Sequence, residues 1–268
     1  MTKMHSGVVL AAASAAMAVM AGTALTATAA SAAKARRCPV VFGHGGYPEG
    51  PDASRKDRIR QANNPSAVKD MRRAGADGVE ADVQLTRHGT KAVMWHNTTT
   101  NGLTGPRRAI TDLWWKTGPD NLRDRRISRG PYKGERVYTL REWLDHARAS
   151  RSFVLLEIKY QAREILASRQ YGEAGWREIS GPIRERQHRQ PIMVYSTDPW
   201  IQSELERRHP ELIKGPEARW TDGVAWDEPP PSWRGNQTRW QSILKLRPLS
   251  VMTNYPGAYR RWVAERCT

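Results

Sequence analysis

Short apolar runs alternate with amphipathic stretches along this chain of 268 residues. That alternation confines it to a sheet of parallel strands joined by helices. The runs are Val40 to Gly43, Gly78 to Leu85, Ala92 to Trp95, Phe153 to Ile158, Ile192 to Tyr195, Glu211 to Ile213, Gly223 to Trp226 and Ser250 to Thr253. They are apolar and β-branched without clean alternation, as in strands covered on both faces. Asn64-Pro65-Ser66 opens a helix that runs to Gly75, with Pro early and Gly at the end. Thr139 and Glu142 stand at capping-box spacing before a helix to Ala149. Asp198 caps a third helix that stops before Pro210, and Ala258 to Cys267 closes the chain as a fourth. Eight strands with interleaved helices predict an α/β fold, a (β/α)8 TIM barrel forming a single domain over residues 38–268. An open doubly wound sheet is the alternative, but no glycine-rich dinucleotide fingerprint follows the first strand. Residues 98–138 are too long for an ordinary connection. They carry Trp114, Trp115 and many arginines, and are expected to lie as a partial lid over the C-terminal mouth of the barrel.

The N-terminus reads as an export signal. Lys3 precedes an uncharged run from Gly7 to Thr28, and Ala30-Ser31-Ala32 has the small-x-small form that signal peptidase reads. Residues 1–33 are therefore expected to be a signal peptide cleaved near Ala32-Ala33, leaving a secreted chain. The competing membrane-anchor reading is weakened because the run is rich in Ala rather than Leu. No later segment approaches the ~20 apolar residues of a membrane span.

Formal net charge is +16, from 43 Lys and Arg against 27 Asp and Glu. Such a balance favours anionic partners such as phosphate esters or anionic surfaces. The basic residues are spread along the chain, which also suits a plain solvated surface, and no nucleic-acid partner is expected. A monomer is expected.

Chemistry concentrates on four strands. Glu80 and Asp82 lie two apart within the second, so both carboxylates share a face. On a barrel wall two like charges need a cation between them, either Arg or Lys or a hard divalent ion such as Mg2+ or Ca2+. Glu157 and Lys159 repeat the spacing on the fourth strand. Glu157 offers a third metal oxygen and Lys159 a point charge for a phosphate oxygen, the alternative being an internal ion pair. His44 follows the first strand in Gly43-His44-Gly45-Gly46, and His96 ends the third. A pair of histidines at neighbouring strand ends can divide the base and acid roles of phosphodiester hydrolysis near neutral pH. The metal would offset the phosphate charge.

These residues sit in motifs that resemble the glycerophosphodiester phosphodiesterase family. They are Phe42 to Gly46, the block Gly75 to Thr86 (GADGVEADVQLT), His96, Val137-Tyr138-Thr139-Leu140, Leu155 to Lys159, and Thr253-Asn254-Tyr255-Pro256, in family order. The resemblance implies a TIM barrel that hydrolyses glycerophosphodiesters to glycerol phosphate and an alcohol. His44 and His96 match the family's acid/base pair, and Glu80, Asp82 and Glu157 its metal ligands. Three positions depart from it. Gly45 stands where the family has Arg, Ala62-Asn63-Asn64 where it has Pro-Glu-Asn, and Asn97 where it has Asp. Lys159, Arg107 or Arg108 is the expected substitute for the missing guanidinium.

Of 11 Trp residues, Trp95 and Trp226 are expected at the mouth, where an aromatic face could hold a choline group by cation–π attraction. The two cysteines, Cys38 and Cys267, would meet at the bottom of a barrel seam, predicting a disulfide in an oxidising compartment. Small phosphodiester or lysolipid substrates follow from this reading. A sphingomyelinase D-like lipid hydrolase and a non-catalytic phosphate-binding barrel are the alternatives, although the cysteine-rich loop typical of the former is replaced by Asn97-Thr98-Thr99-Thr100.

Overall fold

A computed structural model describes residues 38–46, 63–213, 218–220 and 237–267. The expected signal peptide, the expected strand at 223–226 and Trp226 lie outside these residues. The described strands are β1 (Val40–Gly43), β2 (Gly78–Leu85), β3 (Ala92–Met94), β4 (Tyr138–Thr139), β5 (Phe153–Ile158), β6 (Ile192–Tyr195), β7 (Ala218–Trp220) and β8 (Ser250–Thr253). Six of them form a parallel array in the order β7-β8-β1-β2-β5-β6. Together with β3 and β4 they make one mixed α/β sheet, and β6 and β7 are not paired among the described residues.

The third expected barrel strand is an antiparallel one. β3 pairs with β2 through Val83↔Met94, Gln84↔Val93 and Leu85↔Ala92, and β4 pairs antiparallel with β3 in turn. Only residues 86–91 separate β2 from β3, enough for a hairpin, whereas a parallel crossover needs a dozen or more. His88 at φ 56° and Gly89 at φ 67° make the turn. β5, not β3, is therefore the parallel neighbour of β2. The expected strand Glu211 to Ile213 is not a strand, although the Ile213 carbonyl accepts from the Val194 N–H of β6 at 2.9 Å.

Three helices start where their caps predict, while the closing helix, expected from Ala258, begins at Pro256. Asn64 Oδ1 accepts from the Ser66 N–H at 2.8 Å ahead of α1 (Pro65–Arg73). Thr139 and Glu142 form a reciprocal capping box on α2 (Leu140–Ala149). After α3 (Arg163–Ala167) and α4 (Gly172–Arg184), Asp198 Oδ1 accepts from the Trp200 and Ile201 N–H groups to open α5 (Pro199–Arg208). α6 (Gln237–Lys245) and α7 (Pro256–Ala264) complete the set among the described residues. None is long and apolar enough to cross a membrane.

Alternation along β2 and β5 divides two environments. Val79, Ala81, Val83 and Leu85, with Val154, Leu156 and Ile158, join the core against Trp143, Trp176 and Ile179 of the helices. The opposite face of β2 carries Glu80, Asp82 and Gln84. Beside it Phe42, Leu155, Tyr195 and Met252, one each from β1, β5, β6 and β8, form a separate apolar cluster that floors the polar residues.

Residues 98–138, expected as a partial lid, are a packed segment. Leu103, Ile110, Leu113, Trp115, Leu122, Ile127, Tyr132 and Val137 are buried together and pack on Ala67 of α1, Val93 and Trp95. Bridges Thr99↔Ala109, Leu103↔Ile127 and Arg126↔Arg136 pin the segment to itself. The expected disulfide is not formed: Cys38 is exposed, Cys267 is buried, and both are thiols.

Candidate active site

Register builds the acidic centre. In the parallel pairing of β2 with β5, Asp82 stands directly opposite Glu157, and Glu80 lies two residues before Asp82 on the same face. Oxygens of Glu80, Asp82 and Glu157 fall within 4.8 Å of one another, and all three residues are buried. Glu80 is 1% exposed; its Oε2 accepts from the Gly45 N–H at 2.7 Å, while Oε1 has no hydrogen-bond partner among the described residues. A buried, unpartnered carboxylate oxygen beside two more carboxylates is an incomplete arrangement. A hard divalent cation such as Mg2+ or Ca2+ would complete it. Burial, followed by the charges of Asp82 and Glu157, pushes the Glu80 carboxyl well above the usual carboxylate range.

Asp82 behaves oppositely. Burial works to raise its pKa, but Lys159, His96 and a hydrogen bond from Asn63 bring it below the ordinary value. Lys159 Nζ lies 3.0 Å from Asp82 Oδ1 and 3.3 Å from Glu157 Oε2. Burial opposes the Lys159 charge, but Asp82 and Glu157 outweigh it and raise its pKa. Glu157 Oε1 also accepts from Thr197 Oγ1 at 2.8 Å.

His44 sits in a tight turn directly after β1, where Gly45 adopts φ 56°. Its Nδ1 is 2.9 Å from Asn254 Oδ1, an arrangement that assigns the proton to Nδ1 and turns Nε2 toward Glu80 Oε2, 3.8 Å away. Burial lowers its pKa to about 4, with His96 and Lys159 adding to the fall and Asn254 and Asp82 opposing it. His44 is therefore a neutral imidazole near pH 7. His96 follows β3, with Nδ1 3.2 Å from Asn97 Oδ1.

Six expected residues thus converge: His44, Glu80, Asp82, His96, Glu157 and Lys159. Trp95 does not reach the mouth; it is 2% exposed and its Nε1 donates to the Thr99 carbonyl at 2.9 Å. Arg107 is exposed and bonds Thr99 Oγ1 at 3.3 Å, and Arg108 is exposed as well. Four contributors escaped the sequence reading. Asn63 and Asn254 hold Asp82 and His44, Gln84 binds the backbone around His96, and Tyr195 has its phenol pushed up by burial and the three carboxylates. Asn63, Gln84 and Asn254 lay in motif segments already singled out, and Tyr195 in an expected strand, but none was given a role.

A separate groove of about 670 Å3 lies between the 98–138 segment, α2 and α4, and none of the six site residues lines it. Lys116, Arg123, Arg126 and Arg177 do, with no carboxylate partner among the described residues.

Three solved structures share this fold at low sequence identity. A phosphodiesterase from Oleispira antarctica, solved in complex with the product sn-glycerol-3-phosphate, aligns with a TM-score of 0.58 at 15% identity, covering 85% of this chain and 97% of that one. A glycerophosphodiester phosphodiesterase from Agrobacterium tumefaciens gives 0.54 at 14%, over 84% and 100%. One from Thermotoga maritima gives 0.51 at 16%, over 84% and 99%. A search of curated protein sequences finds no match. The model of the glycerophosphoryl diester phosphodiesterase family matches residues 62–258. That span takes in β2, β5 and the whole acidic centre, and on its strength this chain belongs to that family of phosphoric diester hydrolases.

Proposed function

We propose that the chain is a secreted, metal-dependent phosphodiesterase that hydrolyses glycerophosphodiesters to glycerol phosphate and an alcohol within a closed α/β barrel. The observation that carries this reading is the buried trio Glu80, Asp82 and Glu157, flanked by His44 and His96. The glycerol phosphate bound to the Oleispira relative agrees with it. A divalent ion held by the three carboxylates would supply positive charge to the phosphate oxygens.

The chain's own residues supply the remainder. Neutral His44, its Nδ1 proton engaged by Asn254, accepts a proton from the attacking water through Nε2. His96 gives a proton to the departing alkoxide. Lys159 sets a fixed positive charge beside the phosphate and keeps Asp82 ionised. The aromatic Trp226 is proposed to meet a cationic alcohol such as choline.

Secretion rests on the apolar run ending at Ala30-Ser31-Ala32. Contact with anionic surfaces is supported by the charge of +16 and by the cationic groove at Arg123 and Arg177.

Glycerophosphocholine, lysophosphatidylcholine and sphingomyelin, each with and without chelator, test the activity beside a His44→Ala variant. Chelator-sensitive release of choline or glycerol phosphate from the first, lost in His44→Ala, is expected. Turnover of the lipids alone would indicate a sphingomyelinase D-like hydrolase, and no turnover of any would leave a binding barrel.

A further inference from the structure

Gln84 shares the face of β2 with Glu80 and Asp82, yet no step of the proposed reaction uses it. It is fully buried. Its Nε2 donates to the Trp95 carbonyl at 2.7 Å and to the Asn97 carbonyl at 2.8 Å, with the His96 carbonyl a longer third contact at 3.4 Å. An amide carries two hydrogens, so both are spent on the carbonyls of the two residues that flank His96.

The location gives this contact its meaning. β3 ends at Met94, and the Trp95 N–H makes a last bond to the Asp82 carbonyl at 3.2 Å. Beyond it the backbone carrying His96 leaves the sheet, and Gln84 replaces the missing ladder with side-chain bonds. The strand that bears two of the three carboxylates therefore also fixes the segment that bears the proton donor. We propose that Gln84 is a positioning residue for His96, setting the imidazole at a fixed height above the acidic centre. This rests on the reading of His96 as the acid of the reaction.

A double-mutant cycle tests it, using glycerophosphocholine and a glycerophosphodiester with a p-nitrophenyl leaving group. Gln84→Met keeps the shape and removes the donors. Its kcat on glycerophosphocholine is expected to fall about ten-fold or more with KM changed by less than about two-fold, as when a group acting only in the transition state is misplaced. The loss should shrink to about three-fold or less with p-nitrophenolate, which departs without a proton. In a His96→Ala background Gln84→Met should cost almost nothing further, because the two act as one unit. Gln84→Asn, which keeps the amide but falls a methylene short, should show the same pattern, and thermal melts identify which variants fold. Wild-type kcat in a folded variant, or an equal loss on both substrates and in the His96→Ala background, overturns the positioning role. Wild-type activity of His96→Ala overturns the acid assignment instead.

Discussion

Asn63 grips Asp82 at two points: its Nδ2 donates to Asp82 Oδ2 at 2.9 Å, and its Oδ1 accepts from the Asp82 N–H at 3.1 Å. It adopts φ 70°, a left-handed conformation that Asn tolerates better than most residues. An amide thus orients one of the three carboxylates of the acidic centre. Asn63→Leu is expected to weaken Mg2+ or Ca2+ binding about 10- to 100-fold, as removal of a partner behind a ligand does. Isothermal titration calorimetry measures this directly, and unchanged affinity would remove Asn63 from that role.

Gly45 is held by its backbone, whose N–H meets Glu80 while φ stands at 56°. A side chain there meets a left-handed penalty of about 1–2 kcal/mol. Gly45→Arg, which restores the family residue, should lower the melting temperature by several degrees and fail to raise the affinity for glycerophosphodiesters. A Gly45→Arg variant with wild-type stability and a lower KM would show that the turn accepts the family's arginine.

Close packing at the base of the sheet gives a stability prediction. A Cβ added to Gly78 would stand 2.5 Å from Phe42 Cε1 and 2.7 Å from the Phe153 carbonyl oxygen, and the latter cannot move without breaking the β2–β5 pairing. Gly78→Ala should cost about 1–3 kcal/mol, read as a shift in the urea midpoint with the metal-site residues intact.

Acid stability depends on Glu142. Burial raises its pKa, but the paired Arg136 guanidinium and the Thr139 N–H and hydroxyl together lower it from 4.5 to about 2. A carboxylate depressed in the folded state stabilises above its unfolded pKa, and that stability fades as pH falls from 4.5 toward about 2. Glu142→Gln should therefore lower the melting temperature at pH 7 and flatten the acid limb across this interval. Because the side chain is 40% exposed, solvent screening keeps the effect small. Parallel melting curves for the two proteins below pH 4.5 would contradict this.

Much of this was written locally in the sequence. The two-residue spacing of Glu80 and Asp82 placed both carboxylates on one face, and Asn64, Thr139 and Asp198 marked their helix starts because capping is decided within four residues. The antiparallel turn of β3 was also legible, in the brevity of 86–91, but an apolar run before a histidine looks the same in either direction. Asn254 and Gln84 were hidden for another reason. A neutral amide shows neither charge nor period, and its partner here lies 210 residues away for Asn254 and across a hairpin for Gln84. The packing of 98–138 was equally silent, since Leu103, Ile110, Leu122 and Ile127 follow no helical or strand repeat.

The two faces of β2 make the site self-checking during folding. Sliding the strand by one residue would push Glu80, Asp82 and Gln84 into the apolar layer beneath the helices and turn Ala81, Val83 and Leu85 toward the acidic centre. Such a slip would bury two unpaired carboxylates in the core, which no compensating contact could offset. The pairing that assembles the core is therefore the same one that delivers the reactive groups.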